Sequence, residues 1–117
     1  MHELSIAQGI FENLRPWLDS RGDLIKIGKI IICAGPMRAV NPEALIGAWE
    51  IVRIGHTKMN ESFLEIDPSF IQVKCKKCGG SWNAERAVFK CELCGSDQLE
   101  LGGGNELFIE SIETFSE

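Results

Sequence analysis

Four cysteines carry the plainest chemical signal in this chain. Cys75 and Cys78 are separated by two residues, twelve residues intervene, and Cys91 and Cys94 repeat the same spacing. Glycine follows each pair at once, at Gly79 and Gly95. Two residues between thiolates let both sulfurs of a tight turn face one ion, and glycine lets the backbone curl until its amides point at sulfur. Two such knuckles complete a tetrahedron. Because four thiolates leave no coordination position open, the expected occupant is structural Zn2+, bound at a sulfur distance of about 2.3 Å. Two disulfides, four unligated thiols and a rubredoxin-like iron site are the alternatives, and the paired spacing fits metal ligation in a reducing compartment best. "SWNAERAVFK" is long enough for a short hairpin or turn between the knuckles, with Trp82 and Phe89 expected to shield the site.

The amino terminus, "MHELSIA", offers a second set of donors. The α-amine of Met1, the amide nitrogen of His2 and the His2 imidazole can reach one ion, closing fused five- and six-membered chelate rings. Nitrogen ligands in such a square plane favour Ni2+ or Cu2+ over Zn2+, and Glu3 could complete the plane through its amide or its carboxylate. Judged alone, a histidine at position 2 reads first as a solvated residue at a frayed end rather than as a ligand. His56, in "IGHTK", reads as a surface loop residue and Cys33 as a small buried apolar residue. There is no nucleophile and base pair at motif spacing and no phosphate-binding glycine loop, so the chain does not read as an enzyme.

Composition narrows the remaining classes. With 17 acidic and 12 basic residues among 117, the formal net charge is -5, which disfavours a general nucleic-acid binder. The cysteine segment looks basic through Lys74, Lys76, Lys77, Arg86 and Lys90, but Glu85, Glu92 and Asp97 oppose them. Four thiolates on Zn2+ then add two negative charges and leave the loaded module about neutral. Residues 2 to 18 are amphipathic and contain Glu12, Arg15 and Pro16, so they form neither a secretory signal nor a membrane span, and the expected location is the cytoplasm.

The elements that must hold these donors follow from periodicity. Leu4, Ala7, Phe11, Leu14 and Leu18 recur at helical spacing, flanked by Ile10 and Trp17, and predict a helix over 3–15 or somewhat further. Pro16 should kink that helix near Glu12 or loosen it from there on. "DLIKIGKIIICAG" predicts a strand largely buried on the face that carries Ile25, Ile27, Ile31 and Cys33. Asn41 as N-cap, Pro42 at the first position and Glu43 in the first turn start a second helix, with Leu45, Trp49 and Val52 as its buried stripe. "SFLEIDPSFIQVKC" supplies one or two strands broken at Asp67 and Pro68.

Residues 106–113, "ELFIESIE", read as a strand covered on both faces, with Leu107 and Ile109 to one side and Phe108 and Ile112 to the other. The cysteine module is too small to supply both covers, so this strand is predicted to return to the first sheet. The expected fold is α/β: two helices on a small mixed sheet, with a four-cysteine zinc-ribbon module inserted before the C-terminal strand. The expected division is residues 1–69 plus 104–117 as one domain and 70–103 as the zinc module.

"MHELS", "NPEAL" before an apolar helix, the two C-x-x-C knuckles and "GNELFIESIE" occur in order over essentially the whole chain. Together they resemble the HypA/HybF family of nickel metallochaperones, which serve NiFe-hydrogenase maturation. The resemblance implies that nickel binds at the start of the chain through His2 and nearby backbone nitrogens, with Glu3 important for delivery. It implies structural zinc on Cys75, Cys78, Cys91 and Cys94, the GTPase HypB as partner, and the hydrogenase large subunit as recipient of Ni2+. Some members also serve urease, which adds urease maturation proteins as candidate partners, and both monomer and homodimer stay open. Some family structures take a further nickel ligand from an aspartate near the second helix, where this chain has Asn41. Glu3, water or Glu43 would then complete the plane. The competing reading is a zinc-ribbon adaptor that binds a protein or nucleic acid and never handles nickel.

Overall fold

The computed structural model describes residues 2–22 and 24–116. Helix α1 (His2–Asp19) buries Ala7, Ile10, Leu14 and Leu18, positions that follow the 3.6-residue period. It continues through Pro16 to Asp19. The proline is exposed and lies in the last turn of the helix.

A strand, β1 (Ile25–Ala34), follows, then a 3-10 turn at Pro36–Arg38 and helix α2 (Pro42–Val52). Asn41 caps α2 as its residue type predicts, its Oδ1 accepting from the Ala44 amide at 3.1 Å. Leu45, Ala48 and Trp49 form the buried face of this helix, while Val52 is only half-buried.

Strand β2 (Phe63–Pro68) comes next, and the last strand, β6 (Leu107–Ser116), lies on the other side of β1, giving the order β2-β1-β6. The C-terminal strand therefore does return to the first sheet. Its predicted burial on both faces is wrong: no residue of β6 is buried, because the strand sits at the edge of the sheet. The central strand shows the opposite departure. Ile27, Ile30, Ile32 and Cys33 are all buried although they belong to both alternating sets, whereas Ile31 is only half-buried. Burial there falls on both alternating sets, so alternation does not mark one inward face.

The second sheet has the order β4-β3-β5, built from β3 (Ile71–Cys75), β4 (Ser81–Ala84) and β5 (Leu99–Gly103). Both pairings are antiparallel; Val73 faces Trp82 on one side and Leu101 on the other. Its apolar cluster is small, with Ile71, Val73 and Ala84 buried and Trp82, Val88 and Leu99 packed against them.

By internal contacts the chain divides into two compact units. One comprises Met1–Ile32, Val40–Asp67 and Ile109–Glu117, the other Cys33–Ala39 and Pro68–Phe108. Within the second unit, the segment after β1 lies against the turn before β6. The Gly35 amide donates to the Glu106 carbonyl and the Met37 amide to the Gly104 carbonyl, both at 2.7 Å. A Cβ on Gly35 would overlap the Gly104 carbonyl, so only glycine permits the approach. The Glu106 carboxylate fixes this turn further, accepting from the Ser69 hydroxyl and from the Gly104 amide.

In the first unit Ser62 is buried, and its hydroxyl accepts from the Trp49 indole Nε1 at 2.9 Å and donates to the Met59 carbonyl at 2.5 Å. Replacing Ser62 by alanine leaves a buried indole donor without its partner. The expected loss is about 1–3 kcal/mol, read as a lower urea midpoint with an unchanged m-value.

Candidate metal centres

The two knuckles form by the same local logic. After β3, the Gly79 amide donates to the Cys75 carbonyl at 3.0 Å, and the Gly95 amide makes the equivalent bond to the Cys91 carbonyl at 2.8 Å. Both glycines have positive φ, 77° and 79°, which explains why each pair is followed by glycine. The turns aim amides at sulfur: Cys78 N to Cys75 Sγ at 3.4 Å, Gly80 N to Cys78 Sγ at 3.4 Å, Leu93 N to Cys91 Sγ at 3.3 Å and Cys94 N to Cys91 Sγ at 3.4 Å.

The four sulfurs lie within 4.8 Å of one another, with Cys75 to Cys94 and Cys78 to Cys91 each at 3.7 Å. A tetrahedron with metal–sulfur bonds of 2.3 Å has edges of about 3.8 Å. The sulfurs therefore have the spacing of a four-thiolate site, whereas disulfide bonding needs about 2.05 Å. No disulfide joins any of the five cysteines, and Cys33 is buried in β1.

Amide donation also sets the acid–base character of the cluster. The Cys78 amide, foremost, pulls the Cys75 thiol down to about 6. At Cys94 the Ser96 amide acts in the same direction, but burial and the sulfurs of Cys75, Cys91 and Cys78 outweigh it and push the thiol up to about 11. Among four sulfurs this close, one anion opposes the next, and only a cation lets all ionise together.

The expected aromatic shield is not there. Phe89 is 80% exposed, and Trp82 packs on the small cluster of the β3 sheet instead. Leu93 lies over Gly80, beside the Cys78 sulfur. Cys75 and Cys91 are buried while Cys78 and Cys94 are exposed, so half of the cluster meets solvent.

At the other candidate site, the α-amine of Met1 lies outside the described residues. His2 is exposed and begins α1. Glu3 is brought to Asn41, 38 residues away in sequence: its Oε2 accepts from the Asn41 amide at 3.3 Å. That bond is the main reason the Glu3 carboxyl is held below its ordinary value of 4.5. Asn41 thus uses its side chain on Ala44 and its amide on Glu3, while Glu43 is exposed in the first turn of α2. Sequence reasoning picked out Glu3 and Asn41 separately and missed that they are bonded to each other, since no local pattern signals a contact of that range. His56 departs from its expected surface role: its ring meets Phe11 edge-on at 5.3 Å and its Nδ1 is buried.

A family model described as hydrogenase/urease nickel incorporation, metallochaperone, matches residues 1–114. The chain belongs to the HypA family. HypA proteins form a metallochaperone and maturation-factor family, not a family of catalysts. A hydrogenase maturation factor HypA from Acidithiobacillus ferrooxidans is 34% identical over 113 residues, covering 97% of this chain and 98% of the relative. The Wolinella succinogenes HypA is 29% identical over 118 residues, covering 100% and 98%. The solution structure of the Ni metallochaperone HypA from Helicobacter pylori shares the fold, with a TM-score of 0.62 at 21% identity and 98% of each chain covered. A second HypA solution structure gives 0.68 at 23% identity, over 100% of this chain and 98% of the other.

Two outcomes are expected from this geometry. Purified protein should be colourless and carry one equivalent of zinc, measured by elemental analysis and visible absorbance; intense thiolate-to-iron bands would instead assign the cluster to iron. The Glu3 bond gives a pH dependence whose sign is fixed by its lowered pKa. Its stabilisation is complete above the ordinary value of 4.5 and is lost as pH falls through the lower folded-state value. Urea midpoints of the wild type should therefore exceed those of Glu3→Gln near neutrality and converge with them in acid.

Proposed function

We propose that this chain is a nickel metallochaperone that takes up Ni2+ at its amino terminus and delivers it to the NiFe-hydrogenase large subunit during maturation. The observation that carries this reading is the family match over residues 1–114, which includes the histidine at position 2. His2 supplies the imidazole and nearby backbone nitrogens the rest of the plane, with Glu3 in reach through its amide or carboxylate. The second metal is Zn2+, held by Cys75, Cys78, Cys91 and Cys94 for structural ends; the sulfur spacing of 3.7 Å supports it. In this reading residues 1–69 plus 104–117 form the nickel-binding domain and 70–103 the zinc domain.

The start of α1 suits a site that must release its cargo. In an α-helix the first amides have no acceptor four residues back, so engaging the nitrogens of His2 and Glu3 breaks no helical bond. The positive helix end opposes a bare cation but favours the negative charge of a deprotonated amide. Nickel is then held only when it displaces amide protons, and a recipient's thiolates can draw it away.

The partners in this reading are the GTPase HypB and the hydrogenase large subunit, with urease maturation proteins as further recipients. The setting is the cytoplasm; among the described residues no helix is long and apolar enough to cross a membrane. A nucleic-acid partner is disfavoured by the near-neutral zinc module and the net charge of -5.

The test is a nickel titration of zinc-loaded, untagged protein beside His2→Ala and a version with residues added before Met1. Removing a ligand should cost at least the roughly 10–100-fold in affinity that loss of a ligand's supporting partner costs, with zinc content and circular dichroism unchanged. Equal nickel affinity in all three would overturn the reading in favour of a zinc-ribbon adaptor.

A further inference from the structure

The four-cysteine cluster is divided by burial and by contact in a way that metal ligation alone does not require. Cys78 and Cys94 are exposed, whereas Cys75 and Cys91 are buried. Each exposed sulfur touches a buried sulfur of the other knuckle: Cys94 meets Cys75 and Cys78 meets Cys91, both at 3.7 Å. Within a knuckle the second cysteine aims its amide at the first sulfur, Cys78 N toward Cys75 Sγ and Cys94 N toward Cys91 Sγ, each at 3.4 Å. The cluster thus holds two pairs in which an accessible sulfur lies against a protected one, and both pairs run between the knuckles.

We propose that Cys78 and Cys94 are sites of oxidation by a hydroperoxide, each resolved by its buried contact into a disulfide between the knuckles, Cys78 to Cys91 and Cys94 to Cys75. Thiolates react with peroxides according to their ionisation and access, and these two have the access. The exposed thiolate attacks one peroxide oxygen, the O–O bond breaks, and a sulfenic acid and hydroxide form. The buried thiolate then attacks the sulfenic sulfur, the S–S bond forms and a second hydroxide leaves, so each pair gives two electrons to one peroxide. Closing a pair brings its sulfurs from 3.7 Å to about 2.05 Å and removes two of the four thiolates, so oxidation should release the zinc. The knuckles nevertheless stay joined, because residues nineteen and thirteen apart become linked covalently. A disulfide-held module replaces a metal-held one, and a thiol reductant with Zn2+ reverses the change. The inference rests on the zinc part of the proposed function and is independent of nickel.

The sequence makes the pairing readable. Lys76 and Lys77 separate the first two cysteines of the cluster and Glu92 the last two, so trypsin with a glutamyl endopeptidase places all four on different peptides. The zinc-loaded full chain is treated with hydrogen peroxide beside a chromogenic zinc chelator, its remaining thiols are blocked, and it is digested without reduction. The expected result is loss of the bound zinc, cross-linked peptides joining Cys75 to Cys94 and Cys78 to Cys91, and Cys33 recovered as a blocked thiol. A parallel sample with dimedone should carry adducts on Cys78 and Cys94 alone. Oxidised protein should keep the amide protection of β3 and β5 that reduced, chelator-stripped protein loses. Disulfides within the knuckles, dimedone on Cys75 or Cys91, or zinc retained after the disulfides form would each overturn the proposal. Zinc content before treatment tests the zinc reading separately, and the disulfide map reads the pairing whichever metal the cluster held.

Discussion

Four sulfurs within 4.8 Å are the constraint on which the second unit depends. The apolar cluster there has three buried side chains, Ile71, Val73 and Ala84, far fewer than a freestanding domain requires. The knuckles supply what the core lacks. They close the chain after β3 and again before β5, so one ion would cross-link residues nineteen apart and fix the ends of two paired strands. The same crowding that makes the cluster costly as free thiols makes it selective for a dication. Cys75 is poised to ionise at about 6 by the amides around it, while Cys94 is pushed to about 11 beside its neighbours. A bound ion removes that opposition, and metal binding and local folding become one event.

In the first unit the comparable constraint is the meeting of two helix starts. Glu3, in the first turn of α1, accepts from the amide of Asn41, whose side chain caps α2. A carboxylate placed beside the amino end of a second helix satisfies one orphan donor and sits in a favourable field. Deeper in the unit, Trp49 of α2 is bonded to Ser62, just before β2, and stacks at an angle with Phe11 of α1 at 6.4 Å. Glu3 is thereby tied to the amino end of α2, although it lies at the beginning of the chain.

How much of this was legible in the sequence depended on whether the deciding interaction was local. The knuckles were, since spacing and a following glycine determine the turn, and the positive φ at Gly79 and Gly95 is what that glycine is for. The cap at Asn41 was legible for the same reason, as were Ala7, Leu14 and Leu18 in the buried stripe of α1, whereas Leu4 and Phe11 are only half-buried. Position in the sheet was not. Apolar residues on both faces of β6 suggest cover on both, yet it is an edge strand with no buried residue, while the central β1 buries residues of both alternating sets. Proximity in sequence does not make Phe89 a shield, because Leu93 takes the place over Gly80 and Phe89 is left in solvent. The bond from Asn41 to Glu3 has no sequence signature, since it depends on where the two helices begin relative to each other.

The two candidate metal centres differ in the way a carrier requires. A structural ion should be left no open coordination position, and four thiolates on two glycine-closed turns leave none. A cargo ion should meet a site that lets it go. Nitrogen donors at the first residues of a helix meet that need, because their amides are unengaged within the helix and the helix field penalises the cation once the amides are reprotonated. Proton availability therefore acts on the two centres to different degrees: the thiolate shell must gain protons against a dication that binds every sulfur, whereas the amide plane collapses when a single nitrogen is reprotonated. In the proposed reading, release of nickel with zinc retained follows from that difference in donor chemistry.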